Sequence, residues 1–100
     1  IKDRIHAEVN QAFDLSKCAN ALGDPTRLII LRLIRDFGMV NTEIAAFLGI
    51  SRPTVSVHAK ILREAGLIYS EKEGRIVRHQ INPSALNLFF HELKEFLDFE

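Results

Sequence analysis

Basic and hydroxyl-bearing side chains recur at helical spacing in the stretch SRPTVSVHAK, which begins at Ser51, and just after it. Successive residues of a helix are rotated by about 100°, so spacings of four, eight and eleven return to nearly the same face. One face, about 80° wide, therefore gathers Arg52, Ser56, Lys60 and Arg63. The opposite face is apolar and gathers Val55, Ala59, Leu62, Ala65 and, at its edge, Ile61.

This combination of side chains suits the major groove of DNA. Arginine can form two parallel hydrogen bonds with guanine, and serine or threonine can bond base edges or phosphates. Small residues at the start of the helix permit close approach, and the helix N-terminus offers N–H groups and a positive dipole end to phosphate. The pattern predicts a DNA-recognition helix, although by itself it is equally typical of an amphipathic helix with one solvated face.

Two short helices are predicted to position this face. Asn41 is expected to cap a helix over residues 42–48, and Ser51 is expected to cap the next helix, which runs to Gly66. Only Gly-Ile-Ser joins them, which is typical of a helix-turn-helix spanning residues 42–65.

A β-hairpin is predicted to follow over residues 67–81. Its two β-prone runs, 67–70 and 76–81, are separated by Glu-Lys-Glu-Gly, which predicts a charged tip with a glycine in the tight turn. Three basic residues lie on or near this tip: Lys72, Arg75 and Arg78. A helix-turn-helix followed by a basic hairpin is typical of a winged helix, whose helix enters the major groove while the wing follows the backbone or the minor groove.

Helices are also predicted on both sides of this unit. Residues 3–22 have helical spacing, Asp24 and Pro25 begin a second helix that ends near Gly38, and Asn82 is expected to cap the last helix. The fold class is therefore α+β and mainly α, in one domain of residues 1–100.

The last helix carries more apolar surface than one small core requires, which favours a dimer over a monomer with a wide core-facing helix. A two-fold dimer would place two recognition helices about 34 Å apart, or a multiple of that distance. The apolar stripe of this helix consists of Leu86, Phe89, Phe90, Leu93, Phe96 and Leu97.

Charge is distributed unevenly in a chain whose formal net charge is zero. Residues 51–80 carry six basic and three acidic side chains, whereas residues 81–100 carry one basic and four acidic ones. A basic third beside an acidic tail indicates an anionic partner for one face.

Composition excludes several other classes of protein. No apolar run approaches the roughly 18 residues of a membrane span. The lone Cys18 excludes an intrachain disulfide and a multi-cysteine zinc framework, and a reducing cytoplasm is the expected compartment. With no nucleophile–base set, phosphate loop or carboxylate pair in 100 residues, we expect neither an enzyme nor a cofactor.

Three runs of sequence, ALGDPTRLIILRLI, TEIAAFLGISRPTVSVHAKILREAGLI and EGRIVRHQINPSAL, resemble the ArsR/SmtB family of winged-helix repressors. The resemblance covers residues 21–86 nearly without gaps. It implies a homodimer that binds an inverted-repeat operator and is released by an effector. The terminal helices, 1–22 and 83–100, would form the dimer interface, which adds Ile5, Val9 and Phe13. Carried over by position, the DNA-contacting residues would be Arg52, Thr54, Ser56, Val57 and Lys60, with the wing from Glu71 to Arg78.

The family's familiar metal sites are not matched. Val40 and Thr42 occupy the positions of its Cys-x-Cys motif, and neither side chain can serve as a thiolate ligand. The last helix has no Asp-x-His, and its histidine, His91, does not have the required spacing. We therefore expect an effector other than a metal at these sites.

Two alternatives remain open at the level of sequence. One is a metal-responsive repressor with a non-standard site formed by His6, His91 and Glu95, although a solvated His–Glu pair would also account for the last two. The other is a winged helix used for protein–protein contact. Cys18 is expected to be a core residue rather than a thiol sensor, and His58 is expected to face inward; His79 could contact phosphate or lie on the strand surface.

Overall fold

The computed structural model describes the backbone of residues 2–98 and the side chains of residues 7–98. Within the described part, five helices and one two-stranded antiparallel sheet follow one another along the chain. Their bounds are α1 Lys2–Leu22, α2 Pro25–Phe37, α3 Asn41–Leu48, α4 Arg52–Glu64, β1 Ile68–Glu73, β2 Ile76–Ile81 and α5 Pro83–Phe96.

The ends of α2 and α4 are set by the residues that the sequence indicated. The Asp24 carboxylate accepts the Thr26 N–H at 3.4 Å, and Ser51 Oγ accepts the Thr54 N–H at 3.2 Å. Each cap satisfies one of the N–H groups that a helix start leaves unpaired. After α2, Gly38 adopts a left-handed φ of 60°, a conformation that costs a residue without Cβ very little.

The prediction for the start of α3 was wrong. Val40, not Asn41, occupies the N-cap position, and its N–H donates to Glu43 Oε1 at 3.0 Å. Asn41 is already the first helical residue, so its amide is free to bond outside the helix.

Asn82 occupies the N-cap position of α5, as predicted, but it makes no side-chain cap bond to this helix. Its amide instead donates to the Gly66 carbonyl at 2.9 Å and ties the end of the wing to the end of α4.

Strand β1 is longer than predicted, because Glu71, Lys72 and Glu73 continue it rather than forming a loop. Glu73 pairs with Ile76, so the connection contains only Gly74 and Arg75. Gly74 has a φ of 61°, as a tight two-residue hairpin requires.

One hydrophobic core connects all of these elements. The core face of α1 is formed by Leu15, Cys18 and Ala21, while Val9 and Phe13 on the same helix are exposed. The wing packs against α2, α3 and α4, and α5 packs against α1. No helix in the described part is long and apolar enough to cross a membrane. The largest fully buried side chains are Ile30, Ile44, Val55, Leu62, Leu67 and Ile68.

Candidate nucleic-acid interface

Helix α4 divides into a buried face and an exposed face. Val55 and Leu62 are fully buried and Ala59 is 2% exposed, so the apolar side of the helix is anchored in the core. Each fully buried aliphatic side chain stabilises this placement by about 1.5–3 kcal/mol relative to exposure. The anchored face leaves the opposite one in solvent, where the structure places Arg52, Thr54, Ser56, Val57, Lys60 and Arg63.

The exposed face begins with an ordered pair of hydroxyl groups. Ser51 Oγ and Thr54 Oγ1 are 2.7 Å apart, while Ser51 also accepts the Thr54 N–H. This arrangement fixes the Thr54 side chain at the first turn of α4. Val57 is 59% exposed on the same helix, where its apolar side chain is suited to contact with a thymine methyl group.

Two cations of α4 differ in how firmly they are held. Lys60 Nζ lies 3.9 Å from Glu64 Oε1, and both side chains are more than half exposed, so this ion pair contributes little. Arg63 Nη1 donates to Ser70 Oγ at 3.3 Å, which connects the last turn of α4 to β1.

The basic residues of the wing are all exposed but do not share one face. Lys72 pairs with Val77 and Arg78 pairs with Glu71, and adjacent pairs in an antiparallel ladder project to opposite sides. Lys72 therefore lies on the side that carries Ile68 and His79, and Arg78 lies on the outer side. Arg75 lies in the turn between the strands.

A cluster below α4 positions the recognition helix, and sequence reasoning identified only part of it. Arg27 donates to the carbonyls of Ala21 at 2.8 Å and Asn20 at 2.9 Å, and it lies 3.4 Å from the Asp24 carboxylate. His58 Nδ1 is 3.3 Å from Arg27 Nη1, which confirms the prediction that His58 faces inward. Arg27 thereby joins the end of α1 to the middle of α4. The run ALGDPTR, which contains Ala21, Asp24 and Arg27, is the part of the sequence from which this cluster could have been predicted.

His79 neither lies on the surface of the strand nor is exposed for contact with phosphate, the two positions considered from sequence. It is 4% exposed, and its ring bonds to Ser70 Oγ at 2.8 Å and to Asn41 Oδ1 at 2.5 Å. Burial, followed by the nearby positive charge of Arg63, lowers the pKa of His79 from its ordinary value.

The apolar residues predicted for a dimer interface divide into two groups. Most of those on α1 and α5 leave substantial apolar surface in solvent, whereas Phe89 is 8% exposed and packs in the core of its own chain. Ile5 lies outside the described side chains. The exposed fractions are 45% for Val9, 71% for Phe13, 51% for Phe90, 37% for Phe96 and 61% for Leu97, while Leu86 and Leu93 are half-buried.

The candidate metal ligands do not assemble into a cluster within the described residues. His91 Nε2 and Glu95 Oε1 are 3.2 Å apart, and both side chains are about two-thirds exposed. His6 lies outside the described side chains. Among the side chains of residues 7–98, no three His, Cys, Asp or Glu residues are arranged to hold a metal ion.

Cys18 is a buried free thiol, as the sequence predicted. Burial raises its pKa and so disfavours the thiolate, the reactive form of cysteine.

The known proteins similar to this chain are described as regulators or repressors of transcription. The family model "Bacterial regulatory protein, arsR family" matches residues 24–70. The HTH-type transcriptional regulator CmtR of Mycobacterium tuberculosis is 39% identical over 79 residues, which cover 79% of this chain and 67% of that protein. The transcriptional repressor SdpR of Bacillus subtilis is 35% identical over 66 residues, which cover 66% of this chain and 73% of that protein.

Solved structures support the same assignment of the fold. The NMR structure of CmtR, described as a cadmium metal sensor, is 36% identical with a TM-score of 0.58 and covers 73% of this chain and 76% of that chain. A homodimeric winged helix-turn-helix DNA-binding domain from Mycobacterium bovis is 26% identical with a TM-score of 0.69, covering 96% of this chain and 86% of that chain. These similarities confirm the predicted winged helix-turn-helix class.

Proposed function

Since this chain belongs to the arsR family of bacterial regulatory proteins and is a DNA-binding transcriptional regulator, we propose that it is a homodimeric repressor of an inverted-repeat operator. Its effector would be something other than a metal at the family's two familiar sites. The two α4 helices would enter successive major grooves, and each wing would contact the adjacent backbone or minor groove.

The observation that carries this proposal is the division of α4 into two faces. Val55, Ala59 and Leu62 are anchored in the core, and every basic or hydroxyl side chain predicted to contact DNA is exposed. The basic residues of the wing, Lys72, Arg75 and Arg78, are exposed as well. A winged helix that served only for contact with another protein would not require this arrangement.

Selection of bound DNA from a random pool tests the proposal directly. The expected result is an inverted repeat whose half-sites are about one helical turn apart, roughly 34 Å, or a multiple of it. Recovery of no enriched sequence would contradict the operator proposal and favour the protein-contact alternative.

Arg52→Ala should weaken binding to the selected DNA by about 1–3 kcal/mol and relax the preference at one base position. The reason is that a guanidinium in the major groove distinguishes guanine through two hydrogen bonds. Fluorescence anisotropy on duplexes with single base changes would measure both effects. Arg32→Ala is the matched control, because Arg32 is exposed on α2 and bonds Asp36 at 3.0 Å. An equal loss on every sequence would make Arg52 a phosphate contact instead.

Lys72→Ala should weaken binding uniformly across sequences and reduce the slope of log affinity against log salt by about one. Each phosphate neutralised by a lysine releases condensed counterions, which makes affinity fall steeply with salt. Titrations of wild type and variant at several salt concentrations provide the measurement. A loss confined to one operator sequence, or wild-type binding that is insensitive to salt, would argue against phosphate contacts by the wing.

A metal-responsive repressor is the second candidate, favoured by the His91–Glu95 pair and by the description of CmtR as a cadmium sensor. Equilibrium dialysis with Zn(II), Ni(II), Cu(I) and Cd(II) distinguishes the two candidates. Stoichiometric binding that His91→Ala abolishes would establish the metal site, and the absence of binding would eliminate it.

A further inference from the structure

A chain of hydrogen bonds crosses the molecule between the recognition helix and the start of α3. Arg63 of α4 bonds Ser70 of β1, Ser70 bonds His79 of β2, and His79 bonds Asn41 of α3, at 3.3, 2.8 and 2.5 Å respectively. Four elements meet in this way through side chains alone.

The donor and the acceptor of each of the three hydrogen bonds follow from Asn41 Oδ1, the acceptor at the end of the chain. Asn41 Oδ1 can only accept, so His79 Nε2 must carry the ring hydrogen, and Nδ1 of the neutral ring is then an acceptor. The Ser70 hydroxyl donates to Nδ1, which leaves Ser70 Oγ as the acceptor for the Arg63 guanidinium. Every donor in this chain therefore points the same way, from Arg63 to Asn41.

We propose that His79 is a positioning residue for DNA binding, whose neutral ring orients the Ser70 hydroxyl so that the wing holds Arg63, and whose protonation releases Arg63. The coupling rests on the proposed contact of the wing and α4 with DNA. It makes the relative placement of helix and wing depend on the protonation state of one buried side chain.

Protonation disrupts the chain for two reasons. The Nδ1 atom would become a donor, so the Ser70 hydroxyl hydrogen would lose its acceptor while Ser70 Oγ received two donors. The imidazolium would also lie one hydroxyl oxygen away from the Arg63 guanidinium, where two positive charges repel each other.

Among the side chains of residues 7–98, the ring of His79 bonds Ser70 and Asn41 and no carboxylate. Besides Arg63 on α4, Lys72 of β1 lies on the same face of the wing as His79. Arg35 of α2 and Arg78 of β2 line the same surface pocket as His79, although Arg78 projects from the opposite face of the wing. Arg35 bonds Asp36 at 2.8 Å, and the Glu43 carboxylate on α3 accepts the Val40 N–H. The nearest partners on α3 and β1 are the uncharged Asn41 and Ser70, so the site as a whole favours the neutral ring.

Linkage fixes the direction of the pH effect. A histidine in the unfolded chain takes up a proton near its ordinary pKa of 6.5, whereas burial and Arg63 lower the pKa of His79 in the fold. The folded arrangement is therefore favoured above pH 6.5 and loses stability as the pH falls below that value. Protonation of other groups in a DNA-binding protein is expected to raise its affinity for DNA as the pH falls, because added positive charge strengthens contact with phosphate. The effect proposed for His79 has the opposite sign.

The first experiment uses the free protein and needs no DNA. An NMR titration from pH 8 to pH 5 should find His79 with hydrogen on Nε2 at high pH, and the Arg63 Nε and β1 amide signals should change with the same midpoint. Asn41→Asp should raise that midpoint, because a carboxylate beside Nε2 favours the charged ring. The coupling would be overturned if the neutral His79 ring carried its hydrogen on Nδ1, or if the Arg63 signals did not change as His79 titrates.

The second experiment measures affinity for the duplex selected from the random pool over the same pH range. Below the titration midpoint of His79, wild type should bind about fivefold more weakly than His79→Gln does, the effect of losing roughly one hydrogen bond, while the two should be similar at pH 8. Asn41→Asp should begin to lose affinity at a higher pH than wild type. Identical pH profiles for all three proteins would refute a positioning role for His79.

Ser70→Ala provides a second route if His79→Gln does not fold. It leaves the His79 ring in place but removes the link to Arg63, so its affinity should no longer follow the titration of His79. Retention of the full wild-type pH dependence by Ser70→Ala would overturn the proposal. A wild type that binds no DNA at any pH would defeat the proposed function, whereas the NMR titration would still decide the coupling.

Discussion

Replacing Phe13 with glutamate is expected to convert the proposed dimer into monomers and to lower the affinity for DNA by on the order of 100-fold. Phe13 lies on α1 with 71% of its surface exposed, so the substitution removes no contact from the core of the protomer. It places a charge within the apolar surface that α1 and α5 leave in solvent, where a partner would have to desolvate it. Without the dimer, each α4 helix binds its half-site alone and the advantage of two linked contacts is lost.

Phe37→Glu is the matched control for this experiment. Phe37 is the same residue type with the same 71% exposure, but it lies at the end of α2 rather than on α1 or α5. A glutamate at a helix C-terminus costs at most about 1 kcal/mol, so this variant should remain dimeric and bind DNA. Sedimentation velocity gives the oligomeric state and fluorescence anisotropy the affinity. A Phe13→Glu protein that sediments like wild type would contradict an interface through α1.

Leu62→Ala should lower the free energy of unfolding by about 2–5 kcal/mol. Leu62 is fully buried on the core face of α4, and truncation both removes its transfer free energy and leaves a cavity. Because Leu62 is one of the three buried side chains that anchor α4 in the core, the variant should also bind DNA more weakly through a less fixed recognition helix. Urea unfolding provides the measurement, with protein concentration held constant since a dimer's stability depends on it.

Lys60→Ala on the same helix separates folding from DNA binding. Lys60 is exposed and its ion pair with Glu64 is long, so its loss should change the unfolding free energy by no more than about 0.5 kcal/mol. DNA affinity should nevertheless fall, because the removed charge lies on the proposed groove-facing side. If Lys60→Ala destabilised the fold as much as Leu62→Ala does, the division of α4 into core and DNA faces would be wrong.

Local sequence patterns were sufficient to predict those features of the fold whose physical cause lies within a few residues. Asp24 and Ser51 cap their helices because a short acceptor side chain next to a helix start reaches the N–H groups two or three residues ahead. Gly38 ends α2 because a left-handed residue is tolerated there without strain. The apolar spacing of α4 likewise placed Val55, Ala59 and Leu62 in the core.

The wing tip and the face of α1 were less accessible to sequence reasoning. Glu71 to Glu73 look like loop residues by composition, but pairing with β2 carries them into the strand, and only Gly74 and Arg75 are left to turn. In α1, the stripe that includes Val9 and Phe13 has helical spacing, yet it faces outward while Leu15 and Cys18 face the core. Spacing identifies the stripes of a helix, and packing against other elements decides which stripe is buried.

The sequence by itself determined the order of the elements, the two faces of the recognition helix, the caps of α2 and α4, and the resemblance to the arsR family. Only the tertiary structure decided the roles of Asn41, His79 and Asn82. Both asparagines have a residue type and position typical of helix caps, yet each bonds a distant part of the chain, 38 residues away for Asn41 and 16 for Asn82. A buried polar group must find a partner, and which partner it finds depends on the groups that folding brings beside it.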